Sequence, residues 1–333
     1  MARVYRRTIG SLLLESPPES VELPTDFRTI RTEQPELGEE CLRAIRDGRR
    51  LQSFLGELRE FEPELIPPPD IPVHDRTDDP EEIAIRERER LGISIEQVQR
   101  SGGKRQAFNG WRLRLQEAGI VVQVAGFDLK NCRALSLASE TGPPVIVVTA
   151  KDSYAGRTFS IFHEYGHLLL QTSGSCNVGR PGSEQSTTET WCNQFAAAFL
   201  MPRSDISLFA QLLPSRENTI TEVLLAKISS RYQVSDLAAA IRIDDLNIEN
   251  SIDKASLFRR EYVPPGTGGG GGATAAELRV RKYGAFVSSV VAQAVVALVV
   301  DTATVSAMLN VNSSDISEMG TLARETIVKH RFA

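Results

Sequence analysis

The sequence predicts an α+β protein, on three observations. Amphipathic stretches of helical period fill both ends of the 333-residue chain, three short β-rich runs cluster between residues 120 and 150, and one long apolar helix follows them directly. The length allows two or three units, at least one with a sizeable core. Hydrophobic residues at 41% and charged residues at 24% are those of a soluble globular protein. A net charge of -5 and a pI near 5.6 exclude an overall basic field of the kind that holds nucleic acid or anionic membrane, so any DNA contact would need a local patch.

Residues 1–78 form an N-terminal helical region with a Pro-rich linker. "ELGEECLRAIRDGRRLQSFLGELREF" repeats its apolar positions at three and four, and "EPELIPPPDIPVHDRTDDPEE" reads as a linker whose prolines forbid helix and whose charges keep it in water. The basic start at residue 1 is followed by about six largely apolar residues before Glu15, too short for a secretory leader, so a cytoplasmic location is expected. Residues 79–205 are the core unit. "EEIAIRERERLGIS" and "FNGWRLRLQEAG" are helices, the second closed by Gly119. "IVVQVAGF", "RALSLAS" and "PVIVVTA" are strands, of which the second alternates and the third is apolar throughout. A helix capped by Ser153 runs to about Gln171, a polar loop follows, and "TETWCNQFAAAFLM" is a second helix stopped by Pro202.

Residues 206–263 are helical, and "TEVLLAKISSRYQVSDLAAAIRIDDL" has helix-turn-helix spacing with Ser235 as a cap, a plain helical hairpin being the other reading. Residues 264–273 are a Gly-rich linker and not a phosphate loop, because no Gly-Lys-Ser/Thr follows the glycines. Residues 274–333 form a small C-terminal helical domain. Its apolar run from Gly284 to Val300 is shorter than the ~20 residues of a membrane span and carries Ser288, Ser289 and Gln293, so it is read as a buried helix. Cys41, Cys132, Cys176 and Cys192 form no CxxC pair and are read as reduced thiols.

The chemistry concentrates in "FSIFHEYGHLLL", Phe159 to Leu170. On a helix His163 and His167, four apart, present both imidazoles to one point, as a tetrahedral zinc site requires. Glu164 is placed to reach a water activated by the ion and to act as general base, then as proton donor to a leaving amine. The chain has only four histidines, so composition gives His-Glu-x-x-His about one chance in two hundred. A core helix with two satisfied histidines is the plain alternative, but side-by-side burial of two imidazoles and a carboxylate is costly.

A third ligand is needed. His74 and His330 lack a supporting motif, whereas Glu189 and Asn193 in "ETWCNQFAAAFLMP" are four apart on one helix face. Glu189 can complete a His₂Glu set and Asn193 can orient a histidine ring. The competing role for Glu189 is a capping box with Ser186; Glu184 is the reserve carboxylate and Cys192 an outside candidate. Gly166 within the motif helix suggests a close neighbour there. Tyr165 and Trp191 are read as core.

"VIVVTAKDSYAGRTFSIFHEYGHLLL" with "ETWCNQFAAAFLMP" resembles the ImmA/IrrE family of zinc metallopeptidases, mainly over residues 80–250. The resemblance implies a zincin-like core, His163, His167 and Glu189 as zinc ligands, Glu164 as catalytic base and Asn193 as a buttress. It also implies a cytoplasmic bacterial or phage protein that cleaves a helix-turn-helix repressor and so regulates gene expression. The first seventy residues show no basic helix-turn-helix module, so the repressor would be a separate protein, with no direct nucleic-acid binding and no membrane. Manganese or iron would tolerate the same ligands. The strand "PVIVVTA" is either an exposed edge that pairs with an extended substrate or an ordinary buried strand. Two rivals stand beside the enzyme: a non-catalytic zinc-binding module that recognises a transcription factor or toxin partner, and a DNA-binding regulator acting through residues 220–248 or 300–328. The acidic "VSDLAAAIRIDDLNIEN" speaks against the second.

Overall fold

Capping residues set several of the helix boundaries in the computed structural model, which describes residues 38–129, 132–171, 175–176, 187–212, 219–261 and 272–330. Helix α1 spans Glu39–Phe61. Helix α2 (Pro80–Leu91) opens on a proline whose missing N–H is no loss at that position, with the Asp79 carboxylate accepting from the Glu81 amide, and ends at left-handed Gly92. Helix α3 (Ile95–Arg100) has a reciprocal capping box between Ser94 and Gln97. Helix α4 (Lys104–Glu117) starts four residues earlier than the periodicity of "FNGWRLRLQEAG" implies. It closes at Gly119, where φ is +80° and a Cβ would lie 2.9–3.0 Å from the backbone of Pro67, Pro68 and Pro69. The linker is therefore not a strand of chain held in water. Ile66 is buried, the His74 amide donates to the Leu169 carbonyl at 2.9 Å, and the Asp78 carbonyl accepts from the Trp191 ring N–H at 2.8 Å.

Strands β1 (Val121–Ala125) and β3 (Val145–Thr149) pair in parallel, and β2 (Ala134–Leu137) pairs antiparallel with β3. A two-residue β4 (Ser175–Cys176) adds to Ala134 and Leu135 of β2, for the order β1-β3-β2-β4. The strand of the run "PVIVVTA" thus lies inside the sheet, bonded on both sides and buried from Val145 to Thr149, so the edge role considered for it is not available. A strand that is apolar on both faces needs cover on both, which an interior position supplies. The antiparallel rim belongs instead to β2, beyond its short pairing with β4.

Helix α5 (Tyr154–Leu169) crosses one face of the sheet, over Val122, Ala134, Ile146 and Val148, and shares this core with α2, α4, α6 (Thr187–Leu200), α8 (Glu222–Tyr232) and α9 (Asp236–Asp245). Helices α7 (Arg203–Leu212) and α10 (Lys254–Glu261) border it. On the other face Val121, Leu135, Leu137, Val145 and Val147 pack with α1 and with α11 (Ala275–Tyr283), α12 (Ala285–Val296), α13 (Thr302–Leu309) and α14 (Asp315–His330). The molecule is a three-layer α+β structure. The C-terminal helices do not stand apart: buried Arg112 of α4 donates to the carbonyls of Val122, Arg281 and Lys282 at 2.6–2.8 Å, and Gln116 donates to that of Tyr283 at 2.8 Å.

One further expectation needs correction, and the choice left open for the α8–α9 pair narrows. The apolar run from Gly284 to Val300 is not one buried helix. Helix α12 stops at Val296, Leu298 turns the chain at φ +60°, and Asp301 caps α13, which leaves Val296 and Leu298 85% and 90% exposed. The pair α8–α9 has the spacing of a helix-turn-helix but packs as a hairpin in the core, and its Arg242 is buried against Glu81 and the Met201 carbonyl. Among the described residues no helix is long and apolar enough to cross a membrane.

Candidate metal centre

Helix α5 carries the histidines because Ser153 starts it, accepting from the Gly156 amide at 3.0 Å, and because Ile161, Phe162, Tyr165 and Leu169 anchor its apolar face. Phe162 stacks on Phe199 of α6 and meets Trp111 edge-on. The two helices approach closely at Gly166, where a Cβ would lie 3.2–3.3 Å from the Sγ, Cα and Cβ of Cys192. The glycine suspected of a close neighbour has one, and Cys192 serves as that neighbour.

The approach brings His163, His167 and Glu189 together. Their Nε2 atoms are 3.2 Å apart, and the Glu189 carboxylate bridges them, Oε2 at 3.2 Å from His163 and Oε1 at 3.2 Å from His167. Zinc bonds of ~2.0–2.1 Å in a tetrahedron place ligand atoms about 3.3 Å from one another. These contacts are of that length, and one ligand atom from each residue lies within 4.8 Å of the other two, so the donor set fits one such ion and the three residues form a candidate metal cluster. Both imidazoles are buried, while Glu189 is part-exposed. Burial would raise the Glu189 carboxyl, but hydrogen bonds and charge from His163 and His167 outweigh it and hold the group at about 2. It is therefore an anion at neutral pH.

The His163 Nδ1 and Asn193 Oδ1 atoms are 2.9 Å apart. An amide oxygen only accepts, so the Nδ1 carries the proton of this hydrogen bond, and with a metal bound the Nε2 would turn its lone pair to it. Glu164 is completely buried beside these groups. Burial raises its carboxyl above the ordinary carboxylate range, opposed by the charges of His167 and His163 and by a hydrogen bond from the Ser136 hydroxyl.

The other candidates lie elsewhere. His74 pairs with Asp78 at 3.4 Å, and His330 meets Asn109 at 3.4 Å at the end of α14. Ser186 and Glu184 lie outside the described residues. Trp191 is buried and stacked on Phe195. Tyr165 is core, as read, but its hydroxyl donates to Glu87 and accepts from Arg90, and this network ties α2 to the motif helix. Two participants escape sequence reasoning. Buried Glu87 looks like any surface charge in "RERER", and Ser136 is one serine in an alternating strand. The alternation of "RALSLAS" does hint that Ser136 shares the face of Ala134 and Ala138, but only the crossing of α5 over β2 reveals what it meets.

Compared with known families, residues 115–244 match the model of peptidase M78, described as an IrrE N-terminal-like domain. The match runs from the end of α4 through the sheet, α5 and α6 to α9. No curated protein matches the chain.

Proposed function

Residues 115–244 belong to the IrrE N-terminal-like peptidase family, and from that premise we propose that the chain is a zinc-dependent metalloendopeptidase acting in the cytoplasm on a separate helix-turn-helix repressor, thereby regulating gene expression. The observation that carries the metal reading is the cluster of His163, His167 and Glu189, whose Nε2 atoms are 3.2 Å apart and each 3.2 Å from an oxygen of the one carboxylate.

In this reading His163, His167 and Glu189 would hold the zinc, which would supply Lewis acidity for peptide hydrolysis. Asn193 fixes the tautomer and tilt of His163. Glu189 contributes negative charge and no proton, since its carboxyl stays ionised far below neutral pH. Glu164 handles the proton: it takes one from the attacking water and returns it to the leaving nitrogen. A carboxyl raised by burial is suited to both directions of that transfer. The Ser136 hydroxyl holds the Glu164 carboxylate from the sheet side.

A repressor on another chain is favoured by the use made of α8–α9. Its second helix is acidic in sequence and its Arg242 is engaged with Glu81 and Met201, so this pair is a support for α6. Elemental analysis of protein never exposed to added metal tests the metal reading. One equivalent of zinc is expected in the wild type and none in Glu189→Ala; a metal-free wild type would leave a different role for the cluster. Incubation with a panel of purified helix-turn-helix repressors tests the peptidase reading. Cleavage by the wild type and none by zinc-loaded Glu164→Gln is expected, whereas repressor binding without cleavage by either protein would favour a zinc-binding regulatory module.

A further inference from the structure

Away from the metal cluster, on the opposite face of the sheet, two thiols are brought together that are 91 positions apart in sequence. Cys41 lies in the first turn of α1 and Cys132 in the connection just before β2. Both are reduced and both are 1% exposed.

Their proximity follows from how α1 lies on the sheet. A Cβ on Gly48 would come 2.8 Å from a methyl of Leu137, at the far end of β2, with Val147 and Val145 beside it. From Gly48 back to Cys41 is seven helical residues, about 10.5 Å. From Leu137 back to Ala134 is three strand residues, about 10 Å. Cys41 is thus level with the start of β2, where Cys132 sits. The ion pair between Glu40 and Lys151 at 3.3 Å, just past the end of β3, fixes the same end of the helix. The thiols of Cys41 and Cys132 are in contact, and the Cys132 S–H also donates to the Ala134 carbonyl.

We propose that Cys41 and Cys132 form a peroxide-oxidisable dithiol, converted by a two-electron oxidant to a disulfide that ties α1 to β2. Closure to the ~2.05 Å of an S–S bond would join two residues that already stand level on one face of the sheet. The Cys132 thiol holds Cys41 below the usual range of a thiol against burial, which would raise it. Cys41 also lies among the open amides of a helix N-terminus, a setting that favours thiolate. Cys41 is therefore the attacking sulfur. Its thiolate displaces hydroxide from hydrogen peroxide to give a sulfenic acid. The Cys132 sulfur then attacks the Cys41 sulfur, the S–OH bond breaks, and the hydroxyl leaves as water with the Cys132 proton. The two thiols lose two electrons and two hydrogens, and the peroxide is reduced to two waters. In a reducing compartment such a bond is transient, as expected of a sensor and not of a structural brace.

The tie joins a helix outside the matched family segment to the strand that carries Ser136. It does not depend on the chain being a peptidase.

The full-length protein is treated with hydrogen peroxide, its remaining thiols are alkylated, and its peptides are mapped by mass spectrometry. The expected result is a cross-linked Cys41–Cys132 peptide pair, two hydrogens lighter than the reduced peptides, with Cys192 alkylated. The thermal midpoint should rise by several degrees, return on adding dithiothreitol, and not rise in Cys41→Ser or Cys132→Ser. The proposal is overturned if both thiols remain alkylatable in excess peroxide, if either stops at sulfinic acid, or if either pairs with Cys176 or Cys192. Because the mapping is done on the wild type, a variant that folds poorly leaves the test intact.

Discussion

The two faces of the sheet are covered by helices in different ways. At the metal cluster, over the face that meets α5, the polar contacts run from side chain to side chain: Ser136 to Glu164, Asn193 to His163, and Glu189 to both histidines. Over the face that meets α1 and the C-terminal helices, beside the ion pair of Lys282 with Asp47, buried side chains bond to backbone. Gln52 donates to the carbonyls of Leu137 and Pro143 at 3.0 Å, and Arg112 and Gln116 donate to carbonyls of Val122, Arg281, Lys282 and Tyr283. A carbonyl is the same acceptor whatever the residue, so the second set fixes positions without doing chemistry. The first set fixes protonation states and ligand directions. Variants on the two faces should therefore separate function from stability.

The largest expected effect is on the α5 face and spares stability. Glu164→Gln should lower the cleavage rate by about 10²–10⁴-fold, the usual contribution of a general base. Its zinc content and unfolding midpoint should be unchanged or higher, because an amide is less costly to bury than a carboxylate. A variant that unfolds at lower temperature would show that Glu164 is structural. The opposite pattern is expected of Arg112→Met. It strips the donor from one buried and two part-buried carbonyls, each worth ~1–3 kcal/mol when left unmet in the interior, so stability should fall by about 3 kcal/mol. Arg112→Lys should not rescue it, since an ammonium cannot span three carbonyls as a planar guanidinium does. Denaturant unfolding measures the loss, and unchanged zinc affinity in the folded fraction would keep the two faces distinct.

These contrasts also mark what was legible in the sequence. His163, His167, Glu189 and Asn193 stand at helical spacing within two segments, so the 3.6-residue period alone puts each pair on one face. The identity of strands and helices was legible for the same local reason. Strand order was not: the apolar character of "PVIVVTA" says that both faces are covered, but not whether the strand is at an edge. Arg112 and Gln116 sit among charged neighbours in "WRLRLQE" and read as solvent-facing, because nothing local announces that α11 will end above them. The linker was misread likewise. Its prolines do exclude helix, but they also pack against Gly119, a partner some fifty residues away.

Asn193→Ala sharpens the comparison within the α5 face. It removes the acceptor that holds the His163 Nδ1 proton, and such losses typically cost 10–100-fold in metal affinity. Competition with a zinc chelator would measure it. Asn193→Asp should retain or tighten binding, because a carboxylate accepts the same hydrogen bond. Equal affinity in all three proteins would mean that the ring is held by packing alone.

Ser136→Ala is the smallest and most discriminating change. The hydroxyl is fully buried on β2 and its partner is the Glu164 carboxylate, so its loss removes one hydrogen bond to a group that is itself not a ligand. Hydrogen bonds to charged groups contribute ~1.5–3 kcal/mol, of which a relaxed Glu164 would recover part, so a rate loss of about tenfold is expected. It should appear in kcat and leave KM and zinc affinity alone, because Ser136 acts only through Glu164. In a Glu164→Gln background Ser136→Ala should have little further effect on rate, since both changes act on one proton transfer. If instead the two losses multiply, Ser136 works on the fold or on the substrate, and the division between a face that does chemistry and a face that supports it would have to be drawn through β2 itself.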